Sequence, residues 1–204
     1  QLYESFLEAY RGHSSDQPYR FDAISMGRRS LRNLCLSYLL ESGSEEARDL
    51  CLAQLQHAHN MTDTLAALSS LSHHDWPERV EQLNRFYDTW KQDPQVVDKW
   101  FAIQAGSRLP DTLRQVESLM THPAFRITNP NKVRALVGRF CMGNPIRFHA
   151  SDGEGYRFLT DRVLELDSIN PQMAARLVSA LSRWKRFDGE RQTLMQDQLK
   201  RILA

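Results

Sequence analysis

Four times between residues 93 and 171 an aspartate or asparagine stands directly before a proline: Asp93-Pro94, Asn129-Pro130, Asn144-Pro145 and Asn170-Pro171. Each pair sets a capping side chain ahead of a residue with no backbone N–H and a φ suited to the first helical position. Such pairs begin helices; they do not interrupt a sheet. Strand signals are scarce elsewhere, and further starts follow the same logic at Ser44-Glu45-Glu46, Asn60 and Trp76-Pro77. Pro94, Pro130 and Pro171 lie roughly one helix pair apart, close to the ~40-residue period of stacked helical repeats. Self-similarity between the segments is poor, so the expectation concerns geometry. The chain should be all-α, an α-solenoid or superhelix of stacked antiparallel helix pairs of the ARM/HEAT kind.

Apolar periodicity fills in the helices. Leu2, Phe6, Ala9 and Tyr10 open the chain, and Ile24, Leu31, Leu34, Cys35 and Tyr38 follow, with Arg28, Arg29 and Arg32 assigned to the opposite side. Val80, Leu83, Phe86, Tyr87 and Trp90 form another stripe. The clearest stripes come later: Val133, Leu136, Val137 and Phe140, then Met173, Leu177, Val178, Leu181 and Trp184, then Leu194, Met195, Leu199 and Ile202. Each is read as the core face of an amphipathic helix. No Gly/Ser-rich linker or charge block divides the 204 residues, so 1–204 reads as a single helical domain. That length buries roughly 70% of the unfolded surface.

Charge and cysteine use narrow the function. Lys and Arg total 26 against 25 for Asp and Glu, a net charge of +1. This balance argues against a nucleic-acid binder, and the local clusters Arg28/Arg29/Arg32 and Arg183/Lys185/Arg186 read as solvated faces. No apolar run reaches the length needed to span a membrane. Cys35, Cys51 and Cys141 form no CxxC pair and sit among apolar residues, which suits a reducing compartment.

Catalytic patterns are missing. A helical zinc site needs histidines four apart, and the seven histidines, at 13, 57, 59, 73, 74, 122 and 149, include no such pair. There is no GxSxG elbow. Asp152-Gly153-Glu154-Gly155 lacks the later ligands of a calcium loop and reads as a turn. Arg134 and Arg176 stand beside core positions Val133 and Leu177. Periodicity alone makes them surface arginines, although a guanidinium on a concave wall could pair bidentately with a carboxylate.

Several strings nevertheless stand in a specific order: Arg29-Ser30-Leu31-Arg32-Asn33, Asn60-Met61-Thr62-Asp63, Asp98-Lys99-Trp100-Phe101, Asn129-Pro130-Asn131, Phe148-His149-Ala150, Asp152-Gly153, Gly155-Tyr156, Asn170-Pro171-Gln172 and Ala175-Arg176-Leu177. In this order and at these separations the chain, from about Tyr19 to its end, resembles the C-terminal helical domain of the bacterial aminopeptidase N family. The resemblance implies a cytoplasmic, multidomain zinc exopeptidase that removes N-terminal residues from peptides. It implies that the last domain closes over the active site, with the catalytic domain of the same polypeptide and peptide substrates as its partners. It further implies that Arg134 and Arg176 line the substrate cavity.

The family's HExxH and GxMEN motifs are absent here, since they belong to the catalytic domain. No catalytic residue, metal ligand or cofactor is therefore expected in this chain, and zinc is expected in the missing catalytic domain. The opening at Gln1 with an apolar helix suggests a piece of a longer protein. The rival reading is a stand-alone helical-repeat scaffold for another protein, a common use of solenoids.

Overall fold

Backbone N–H groups at helix starts need acceptors, and the sequence supplies them. In the computed structural model, which describes residues 2–14 and 19–204, all four Asx-Pro pairs cap helices, with proline at the first positions. Asp93 Oδ1 accepts from the amides of Gln95 and Val96 at 2.9 and 3.2 Å. Asn129, Asn144 and Asn170 accept from Asn131, Arg147 and Met173. Asp22, Ser44, Asn60 and Asp188 cap further helices in the same way.

The helices that result are α1 (Leu2–Gly12), α2 (Ala23–Leu40), α3 (Glu45–His57), α4 (Met61–Leu71), α5 (Pro77–Trp90), α6 (Pro94–Ala105) and α7 (Thr112–Met120). After them, α8 (Pro130–Val133) passes through a π-helical turn, Arg134–Gly138, into α9 (Arg139–Gly143). The chain continues with α10 (Pro145–Phe148), α11 (Glu154–Asp167), α12 (Pro171–Val178) and α13 (Gly189–Leu203), and 3₁₀ turns at Ser179–Leu181 and Trp184–Arg186 link the last two. Among the described residues there is no strand. Contacts group the chain into two compact units, Gln1–Arg85 and Phe86–Ala204, with the division inside α5.

In the first unit α1, α3 and α4 pack on α2. Leu7 and Tyr10 of α1 are buried with Cys35, Leu36, Leu39 and Leu40 of α2, Ala47 and Cys51 of α3, and Ala67 and Leu71 of α4. Phe6 stacks on Tyr38 with centroids 4.9 Å apart. The apolar side of α1 thus has its partner inside the unit.

The stripe expected to bury α2 is corrected. Ile24, Leu31, Leu34 and Tyr38 are exposed, and only Cys35 of that set is buried. From Leu34 to Leu40 every residue but Ser37 is apolar, so two faces qualify and periodicity cannot choose between them. The chosen face brings Arg32 inward, off its expected solvated side. Its Nη2 lies 2.5 Å from Oδ2 of Asp63, whose side chain is 4% exposed. Asp63 also accepts from Asn33 Nδ2 at 2.9 Å and Asn60 Nδ2 at 2.8 Å. Gln54 Nε2 donates to Asn33 Oδ1 and the Asp63 carbonyl, and its Oε1 accepts from the Tyr10 hydroxyl. The strings around Arg32-Asn33 and Asn60-Asp63 are therefore two halves of one buried network.

The second unit has an aromatic core. Phe140 meets Phe148 and Phe158 edge-on, and Phe148 meets Tyr156 the same way. Val133, Leu136, Val137 and Phe140 are all fully buried. The stripe from Met173 holds through Leu177 and Leu181, but α12 ends at Val178 and the rest lies on 3₁₀ turns. On α5, Leu83 and Phe86 are buried whereas Val80 and Trp90 are exposed, and on α13 only Met195 is fully buried.

Polar side chains tie these helices together through backbone carbonyls. Asn144 Nδ2 donates to Ala105 and Ser107 at 3.0 and 2.7 Å. Buried Lys132 donates to the Pro94 carbonyl at 2.9 Å and pairs with Asp98 at 2.7 Å. Asp152-Gly153 forms a turn in which Gly153 has φ +70° and Asp152 Oδ1 accepts from the Glu154 amide. Two residues on, a Cβ at Gly155 would stand 2.3 Å from the Phe148 carbonyl oxygen. Cys35, Cys51 and Cys141 are buried free thiols. Burial raises all three pKa values, that of Cys51 to about 12.

Removing Asp63 would leave the Arg32 charge buried without its partner. Asp63→Ala should cost about 3 kcal/mol in urea unfolding, and Asp63→Asn clearly less. Gly155→Ala should cost about 2 kcal/mol by the same measurement, because backbone atoms have to move apart.

Candidate functional site

Arg134 and Arg176 both belong to the second unit. Arg134 begins the π-helical turn that joins α8 to α9. A π turn holds one residue more than an α turn and occurs frequently at functional sites. Its inward residues Leu136, Val137 and Gly138 are buried, while Arg134 is exposed. Arg176 is exposed in the last turn of α12, between buried Met173 and Ala174 on one side and buried Leu177 on the other. Among the described residues neither guanidinium has a carboxylate or carbonyl partner. Both are free to donate to a ligand oxygen.

A Cβ at Gly138 would sit 3.9 Å from Arg134 Cγ and 3.4 Å from Met142 Cε, so both side chains lie beside buried Gly138. On α12, Ser179 Oγ donates to the Arg176 carbonyl at 2.6 Å. Met142 and Ser179 then line the same cavity of about 640 Å³, together with His149, Arg183, Arg186 and Phe187.

His149 is fixed at the edge of that cavity. Its Nδ1 shares a 3.0 Å hydrogen bond with the hydroxyl of buried Tyr156, and its ring lies 4.1 Å from that of Phe187. Its carbonyl accepts from Arg191 Nε at 2.7 Å. Burial, and then the Arg191 charge, hold the His149 pKa below the ordinary histidine value. Burial likewise pushes the Tyr156 phenol up to about 12.

The family model described as "Domain of unknown function (DUF3458_C) ARM repeats" matches residues 1–204. The chain belongs to that family, the C-terminal domain of aminopeptidase N. The ARM-repeat description agrees with the all-helical, solenoid-like fold. Aminopeptidase N of Escherichia coli (strain K12) is 39% identical over 202 residues, covering 99% of this chain and 23% of that protein. Aminopeptidase N of Caulobacter vibrioides is 43% identical over 183 residues, or 90% of this chain and 21% of that protein. The crystal structure of Legionella pneumophila aminopeptidase A in complex with aspartic acid superposes with a TM-score of 0.90 at 38% identity, covering 98% of this chain and 24% of that one. The chain thus spans about a quarter of the length of these relatives.

Reading the sequence alone singled out the two arginines but missed the cavity beyond them. Its lining comes from α9, the α10–α11 turn and the 3₁₀ turns, which no periodic pattern links.

Because folding depresses the His149 pKa, the unfolded chain binds more protons just below the ordinary value of ~6.5. The associated stability is present above that pH and is lost as the pH falls. Unfolding free energy should therefore decline from about pH 7 to pH 5. His149→Gln should flatten part of the slope; His122, also depressed by burial, accounts for another part.

Proposed function

We propose that this chain is the non-catalytic C-terminal domain of a zinc-dependent aminopeptidase N, a wall that encloses the peptide cavity and restricts which substrates enter. In this reading the full-length enzyme is a cytoplasmic metalloprotease of peptide catabolism that removes N-terminal amino acids from peptides. The domain's partner is the catalytic domain of the same polypeptide, and residues 1–204 act together as one domain. The observation that carries the reading is the match along nearly the whole chain to aminopeptidase N proteins four times its length.

In this reading the zinc is held by the catalytic domain of the full-length enzyme. Among the described residues no three His, Cys, Asp or Glu side chains converge on a point where an ion could be held. His74 stacks on Trp76 at 4.3 Å, and the thiols are buried and hard to ionise. The residues present do not fit the metal, so no hydrolytic step is assigned to them. No helix among the described residues is long and apolar enough to cross a membrane.

What remains for the domain is steric and electrostatic work. Arg134 and Arg176, exposed and without carboxylate partners among the described residues, are suited to hold the far-end carboxylate of a short peptide. A charge-assisted hydrogen bond to a guanidinium contributes roughly 1.5–3 kcal/mol. In the full-length enzyme, Arg134→Ala or Arg176→Ala should raise KM for a tripeptide with a free carboxylate about tenfold. The C-terminally amidated tripeptide should change little. Equal effects on both substrates would rule out carboxylate pairing.

A further inference from the structure

The basic cluster Arg183/Lys185/Arg186 is solvated, as the sequence suggests, but not on a regular α-helix. It occupies the 3₁₀ segment between α12 and α13, and two of its members line the cavity of about 640 Å³ beyond Arg176. Lys185 is turned aside over the Trp184 ring, with Nζ 5.5 Å from the centroid.

The cations of the flanking helices α11 and α13 are paired. Arg157 pairs with Glu154, Arg162 with Glu165 at 3.2 Å, Lys200 with Asp197 at 3.0 Å and Arg201 with Asp161 at 2.7 Å. Asp188, the acid closest in sequence to the cluster, is engaged by Arg191 through Nη1 at 2.5 Å and the backbone amide at 3.0 Å. Arg183 and Arg186 are exposed and have no carboxylate partner among the described residues. Both line the cavity.

The rest of the lining is partly apolar. It includes Met142 and the tilted ring pair His149–Phe187, with His149 held by Tyr156. The volume falls within the roughly 300–1,000 Å³ typical of small-ligand pockets. Distance also suits a linear ligand. Ser179 and Ala180 are one helical turn beyond Arg176, about 5 Å along the axis, so two or three extended residues at ~3.3 Å each reach the cavity.

We propose that this cavity is a remote subsite for peptides longer than those ending at Arg134 and Arg176, in which Arg183 and Arg186 bind an acidic side chain near the peptide's C-terminal end. The inference rests on the peptide-cavity reading above. It assigns the enzyme a preference for acidic residues several positions downstream of the bond that is cut.

The test compares three substrates in the full-length enzyme: a tripeptide, an octapeptide with glutamates at its last positions, and the same octapeptide with glutamines. In the Arg183→Ala/Arg186→Ala double variant, KM for the glutamate octapeptide should rise about tenfold with kcat unchanged. The glutamine octapeptide and the tripeptide should keep their KM values, and the corresponding double lysine variant should recover most of the loss. An equal rise for both octapeptides, or no rise, overturns the subsite. Arg134→Ala and Arg176→Ala, run alongside, separate the two ideas. If those variants weaken tripeptide binding while the cluster variant changes nothing, the subsite alone falls. If neither set alters any peptide, the cavity reading falls with it.

Discussion

The carbonyls left over at the end of a helix must be met by something other than the helix itself. A chain built only from helices has no sheet to absorb them. Here single side chains from other helices do so. Asn144 reaches back to Ala105 and Ser107 at the end of α6. Arg147 reaches Arg108 at 2.6 Å, and Arg191 reaches His149 after α10. Every such bond spans many residues of sequence and fixes one helix against another at a defined height. Apolar burial supplies the larger energy, but it would tolerate a slide along the interface that these directional contacts forbid.

The same economy explains why certain short strings carried the resemblance. Lys132 sits just after the Asn129-Pro130 cap and reaches to Asp98 and Pro94. Asp63 belongs to a capping unit with Asn60 and anchors Arg32 and Asn33 from α2. A residue with two such duties cannot change without breaking contacts in two places.

Helix starts were legible because capping is local: the amide that needs an acceptor lies two or three residues from the side chain that provides it. The stripes of the second unit were legible because their opposite faces are polar. The outer face of α2 was not, since Ile24, Leu31, Leu34 and Tyr38 compete with Leu36, Leu39 and Leu40 and only tertiary packing decides. The π-helical turn at Arg134–Gly138 left no trace either, because Val133, Leu136, Val137 and Phe140 satisfy an α-helical register while being buried through a wider turn. Arg134 and Arg176 came from the resemblance, as exposed arginines have no periodicity of their own. The cavity past them depends on backbone segments far apart in sequence.

The three thiols have a practical corollary. Cys35 and Cys51 are enclosed in the first unit and Cys141 in the second, and their burial keeps them from the thiolate form that alkylating reagents and oxidants attack. Labelling of Cys35 and Cys51 therefore has to wait for the backbone to part, whereas Cys141 lines the cavity of the second unit. The rate at which the first two are trapped becomes a clock on the breathing of their own half of the chain, with no engineered probe required.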